Sequence, residues 1–211
     1  MDTSAHKYRP MLRQLLILGL IGLVAAATLA GVDMVTRERI VLQEQRRALE
    51  ILHQIVPEDR YNNELVEDRF NASIAGLAAP VTIYRARHDG KSVALLADIT
   101  APDGYSGAIR MIVGLRPDGE LISVRVISHR ETPGLGDRID RDRSDWIEQF
   151  DSRSLDDPAT ERWKPDRRGG EFDTLTSATI TSAAVIAAVH RVLTWYAGNR
   201  DRAFEIAAAG T

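Results

Sequence analysis

Leu15 to Val32, LLILGLIGLVAAATLAGV, is a run of 18 residues without a single charge. At about 1.5 Å per residue, a helix of that length spans roughly 27 Å, close to the hydrocarbon core of a bilayer. Such a run commits its end of the chain to a membrane or to removal as a secretion signal. Lys7, Arg9 and Arg13 precede it, so the positive-inside rule leaves the N-terminus in the cytoplasm and the rest of the chain across the membrane. Thr28-Leu29-Ala30 is a passable cleavage site, but the apolar run exceeds the roughly 7–15 residues usual in a signal peptide. The expectation is an uncleaved anchor, with a cytoplasmic N-terminus over 1–14 and a transmembrane helix over 15–35.

The next stretch, MVTRERIVLQEQRRALEILHQIVPED, places Val41, Ala48, Leu49, Leu52, Ile55 and Val56 on one stripe at helical spacing. Pro57 ends the pattern, giving a juxtamembrane helix over 36–57 that lays one face on a folded domain. His53 within it has no assigned role. Residues 58–79 show no clear period. From Pro80 the pattern turns to strands. VTIYRARHDGKSVALLADIT reads as a hairpin turning at Asp89-Gly90. GAIRMIVGLRPDGELISVRVISH reads as a second, turning at Pro117-Asp118-Gly119. Four strands in meander order, covered by a helix from about Ser182 to Tyr196, make residues 58–211 one α+β domain with an antiparallel sheet and flanking helices.

Charge and cysteine content narrow the function. The 27 Lys and Arg residues are outnumbered by 30 Asp and Glu, which argues against a nucleic-acid partner. With no cysteine, thiolate zinc sites, disulfides and protein-ligated iron–sulfur clusters are excluded.

Three segments stand out. TAPDGYSGAI joins the second and third strands, with glycines at 104 and 107. In SHRETPGLGDRI, the run Thr132-Pro133-Gly134-Leu135-Gly136 combines a fixed φ with two positions lacking Cβ. Such a backbone can approach a flat ligand closely. The third is FDTLTSATITSAAVIAAV, where Thr176, Ser177, Thr179, Thr181 and Ser182 lead into an apolar run. A helix start needs one cap, or two. Its unpaired N–H groups and positive dipole end also suit a phosphate. Local physics alone favours the cap over the phosphate site.

Together, APDGYSG, HRETPGLGDRI and GGEFDTLTSATITSAAVIAAV, in that order, resemble the G subunit of Rnf-type electron transport complexes. The C subunit of sodium-pumping NADH:quinone reductase is a more distant relative. The likeness covers almost the whole chain and implies one N-terminal anchor followed by a single FMN-binding domain. In that family an acceptor motif of Asp, two residues, Ser or Thr, Gly, Ala and Thr carries FMN as a phosphoester on its last threonine. The matching residues here are Asp173, Thr176, Ser177, Ala178 and Thr179, which makes Thr179 the expected acceptor. A separate flavin transferase would install the group from FAD. Ser177 stands where the motif has glycine, and serine there costs about 1 kcal/mol or more if positive φ is needed.

The resemblance also gives the other loops their roles. Thr132, Pro133, Gly134, Leu135 and Gly136 line the isoalloxazine, and Tyr105 and Ser106 contribute to the same wall. His129 and Glu131 belong to the motif without an evident proton transfer. The implied function is an electron relay through covalent FMN, within a multi-subunit complex that couples ferredoxin and NAD(H) to ion movement. The implied location is the bacterial inner membrane, single-pass, with the soluble domain on the periplasmic side. Two rival readings stand beside it. One is a membrane-anchored flavin reductase using His129 or Arg138 as proton donor. The other is a periplasmic binding or assembly module that never receives flavin.

Overall fold

The computed structural model describes residues 4–78 and 80–205; the side chains of Lys7, Arg9 and Val41, which carried part of the expectations above, lie outside the described residues. An unbroken helix, α1, runs Ser4–Ile55. The chain divides into two compact units at Arg46 and Arg47. The first unit is helical. Its stretch Arg13–Val32 has a mean hydropathy of 2.5 and no buried residue, so by length and composition it can cross a membrane.

The second unit is built on a five-stranded antiparallel meander in the order β1-β2-β3-β4-β5. Its strands are β1 (Arg69–Ala72), β2 (Val81–His88), β3 (Lys91–Ala101), β4 (Ile109–Leu115) and β5 (Leu121–Ser128). The β2–β3 turn falls at Asp89-Gly90, both with positive φ, and Gly119 has φ +98 in the β4–β5 turn. These are the two hairpins expected from turn chemistry. The additional strand, β1, lies in the stretch that showed no period. Its four residues bury one large side chain, Phe70, beneath the guanidinium of Arg85 at 5.1 Å.

Helix α2 (Thr179–Ala203) starts earlier and ends later than its expected Ser182–Tyr196 span. On one face of the sheet it packs Val185, Ile186, Val189, Val192, Leu193 and Tyr196 against residues such as Leu95, Ala97, Ile99, Met111 and Val113. The other face takes the last turns of α1: Ala48, Ile51, Leu52 and Ile55 meet Ala86, Ala94, Leu96, Ile112 and Ile127. The central strand β3 is therefore buried on both sides, which is why its VALLA stretch reads as a continuous apolar run instead of an alternation. Leu49, expected in the α1 stripe, is 41% exposed. Gly114 permits the close approach of α1, because a Cβ there would lie 2.4 Å from Cγ2 of Ile55.

Between β5 and α2 the chain makes four short 3-10 turns, at Gly136–Ile139, Trp146–Phe150, Thr160–Arg162 and Asp166–Arg168. Their aromatic side chains gather in one cluster. Phe172 stacks on Phe150 at 5.0 Å and meets Trp163 at a tilt at 4.5 Å, and Trp146 meets Phe150 edge-on at 5.8 Å. This cluster extends the core past the edge of the sheet and fixes the segment that leads into α2.

A candidate cofactor cleft at the head of helix α2

The pairing of Ala101 with Ile109 and of Arg110 with Ser128 brings the β3–β4 loop and the exit from β5 to the same edge of the sheet. The first turn of α2 reaches that edge too, and a cleft of about 360 Å³ opens among the three segments. Its volume falls within the range of small-molecule sites, about 300–1,000 Å³.

The β3–β4 loop is folded tightly on itself. A Cβ on Gly104 would lie 2.2 Å from the carbonyl oxygen of Gly107, so this position accepts only glycine. The fold leaves Tyr105 on the outside, 67% exposed, at the wall of the cleft. After β5, the carbonyl of Thr132 accepts the N–H groups of Leu135 and Gly136, each at 3.1 Å. That turn places Thr132, Leu135 and Gly136 on the cleft, while Gly134 takes φ +77 at its apex.

The lead into α2 is pinned at several points. The indole N–H of Trp146 donates to the carbonyl of Asp173 at 2.8 Å, and the Asp173 N–H donates to Oε1 of Gln149 at 2.7 Å. The N–H of Leu175 donates to Oγ of Ser182 at 3.0 Å, and that hydroxyl donates to the carbonyl of Ala178 at 3.0 Å. Ser177 then turns the chain with φ +67, in the left-handed region that disfavours a side chain.

The helix begins without a side-chain cap. Ala178 occupies the N-cap position, and none of the five nearby hydroxyls caps it. The N–H groups of Thr179, Ile180 and Thr181 have no acceptor among the described residues. With the helix dipole behind them, these three donors form an open site for an anion. Thr179 is the first helical residue, half-buried on the cleft, and its hydroxyl makes no hydrogen bond among the described residues.

The cleft is also apolar at its mouth. Among the described residues of the second unit, five large hydrophobic side chains are exposed: Leu49, Val66, Tyr105, Leu135 and Ile180. Three of them, Tyr105, Leu135 and Ile180, line the cleft. That concentration marks an interaction surface.

Of the expected site residues, the structure brings together Tyr105, Thr132, Leu135, Gly136, Ser177, Ala178 and Thr179. Ser106, Pro133, Gly134, Asp173 and Thr176 do not line the cleft, though they belong to the same three segments. Neither His129 nor Arg138 lines it. Sequence reasoning gave no site role to Glu131, Ile180 or Thr181, all of which line the cleft. For Thr181 the signal was the excess of hydroxyls; for Glu131 it was its place in the HRETPGLGDRI motif. Among the described residues no group of three or more His, Cys, Asp or Glu side chains is placed to hold a metal ion.

Comparison with known families adds two findings. Residues 104–194 match the FMN-binding domain, and residues 1–55 match the RnfG N-terminal region. The chain is 41% identical over 205 residues to the G subunit of the ion-translocating oxidoreductase complex of Pseudomonas aeruginosa strain UCBPP-PA14, covering 96% of this chain and 95% of that protein. It is 37% identical over 196 residues to the protein of the same name from Shewanella loihica, with 92% of each covered. For the Pseudoalteromonas atlantica protein of that name the figures are 40% over 192 residues, 90% of this chain and 89% of the relative.

Proposed function

This chain belongs to the family of G subunits of ion-translocating oxidoreductase complexes, and we propose that it is the electron-transfer subunit of such a membrane complex, with FMN held in the cleft at the head of α2. The residues present fit that group. Three unpaired N–H groups at a helix start match a phosphate, and the apolar rim of Tyr105, Leu135 and Ile180 matches a flat ring. When bound, FMN supplies reversible electron transfer, singly or in pairs. The chain's own part is to hold the ring, exclude water from one side of it and set its surroundings.

The attachment we propose is a phosphoester on Thr179. The observation that carries this reading is the placement of Thr179 on the cleft, first in α2, with a free hydroxyl beside the unpaired N–H groups. Thr181 and Ser182 have their hydroxyls engaged, and Thr176 stands off the cleft. A flavin transferase would join Oγ1 of Thr179 to the FMN phosphorus of FAD. The bond from that phosphorus to AMP breaks, AMP leaves, and the hydroxyl proton passes to solvent. Such a bond prevents loss by dissociation outside the cytoplasm, where free FMN is diluted away.

In this reading Arg13–Val32 crosses the bacterial inner membrane once. The basic residues before it keep the N-terminus cytoplasmic, and the domain from Arg47 onward stands on the periplasmic side. Partner subunits supply the ion path, since a single helix without buried charge offers none. The reductase reading named His129 or Arg138 as its proton donor, and neither lines the cleft.

The test uses full-length protein co-produced with a flavin transferase, then denatured and washed free of loose flavin. Retained flavin fluorescence in wild type and in Ser177→Ala, with loss in Thr179→Val, is the expected pattern. Fluorescence surviving in Thr179→Val contradicts the assignment.

A further inference from the structure

Glu131 is the one charged residue among those lining the cleft, and it is 5% exposed. Each of its carboxylate oxygens takes a donor from a different segment. Oε1 accepts the backbone N–H of Ser106 at 3.1 Å, and Oε2 accepts the hydroxyl of Thr181 at 2.6 Å. Glycines press on both oxygens. A Cβ on Gly104 would lie 2.9 Å from Oε1, and one on Gly136 would lie 2.8 Å from Oε2. The carboxylate therefore sits where the three segments that make the cleft come closest to one another.

No Lys, Arg or His among the described residues forms an ion pair with this carboxylate. The neighbouring ring, His129, accepts the backbone N–H of Glu131 at Nδ1, 3.1 Å away. Burying a charge without a counter-ion is costly, and two hydrogen bonds offset that only in part. A glutamine has the same shape and its own acceptor, so clasping alone does not call for a charge. The charge itself has somewhere to act, because it faces the cleft.

We propose that Glu131 both clasps the three segments around the ring and, by its uncompensated charge, lowers the reduction potential of the FMN held there. The inference rests on the proposal that FMN occupies this cleft. A fixed negative charge in a low-dielectric site disfavours added electrons, and charge beside the ring is a recognised lever on flavin potential. Glu131 acts through charge and position, and no proton transfer is assigned to it.

Redox titration of the full-length, flavin-loaded protein tests this, with loading first established from its mass. Glu131→Gln keeps the shape and removes the charge, and is expected to move the midpoint potential to a more positive value. Glu131→Asp keeps the charge and is expected to stay at the wild-type potential. A Glu131→Gln protein with the wild-type potential overturns the inference, as does a Glu131→Asp protein that shifts as far as the Gln variant. If Glu131→Gln is not recovered folded, Glu131→Asp decides alone: a wild-type potential supports the inference and a positive shift overturns it. Wild-type protein with no FMN at all overturns the flavin reading and this inference with it; loaded protein with an insensitive potential overturns this inference only.

Discussion

The hydroxyl of Thr181 donates to Oε2 of Glu131 at 2.6 Å, joining residues 50 apart in sequence. This bond ties the first turn of α2 to the loop after β5. Both partners are buried, at 1% and 5% exposure, so removing either leaves the other a buried polar group without this partner. The bond explains one of the five hydroxyls at the helix start, and it explains that hydroxyl without a capping role.

Replacing Thr181 by valine keeps the shape and removes the donor. A hydrogen bond to a charged group contributes about 1.5–3 kcal/mol, and that loss should appear as a lower urea midpoint with an unchanged slope. An unchanged midpoint would mean that the carboxylate finds another donor at no cost.

Ser177 has φ +67. A side chain in the left-handed region costs about 1–2 kcal/mol, while a glycine costs roughly 0.4–1 kcal/mol more in chain entropy on folding. Ser177→Gly should therefore stabilise the protein by up to about 1 kcal/mol, and Ser177→Val should destabilise it because β-branched residues tolerate this conformation poorly. Urea denaturation of the two variants beside wild type orders all three. Val as stable as Gly would contradict the strained backbone.

How much of this was legible in the sequence follows the range of the interaction involved. The hairpins at Asp89-Gly90 and Pro117-Asp118-Gly119 were readable because turn chemistry is local. The strain at Ser177 was anticipated from a motif position that holds glycine elsewhere. Strand β1 was not readable, since four residues with one buried aromatic carry too little pattern. The 3-10 turns between β5 and α2 were missed for the same reason; what orders them is the packing of Trp146, Phe150, Trp163 and Phe172. The start of α2 was misplaced because hydroxyls suggest a cap, whereas Ala178 holds that position and Ser182 ties the preceding loop to the helix. Glu131 was the hardest to foresee. Its importance depends on residues 106 and 181 arriving beside it, and nothing in the local sequence announces that.

His190 supplies a pH dependence. Burial, and then the charge of neighbouring Arg191, lower its pKa from the usual 6.5. The ring stacks on Trp163 at 5.6 Å, and its Nε2 is buried without a hydrogen-bond partner among the described residues. With the folded-state pKa below the unfolded one, the unfolded chain binds the proton more readily. No stability is lost above the unfolded pKa, and the loss grows as pH falls from there through the folded value. His190→Gln should flatten the fall in urea midpoint between about pH 8 and about pH 5 relative to wild type. Parallel profiles would contradict this role.

The central claim is that Thr179 carries FMN, and the intact mass of the full-length protein tests it most directly. Protein co-produced with a flavin transferase should gain one FMN less one water. Digestion should map the gain to the peptide containing Thr179, and Thr179→Val should show the bare mass. An unmodified wild-type chain, or a gain that persists in Thr179→Val, would contradict the account.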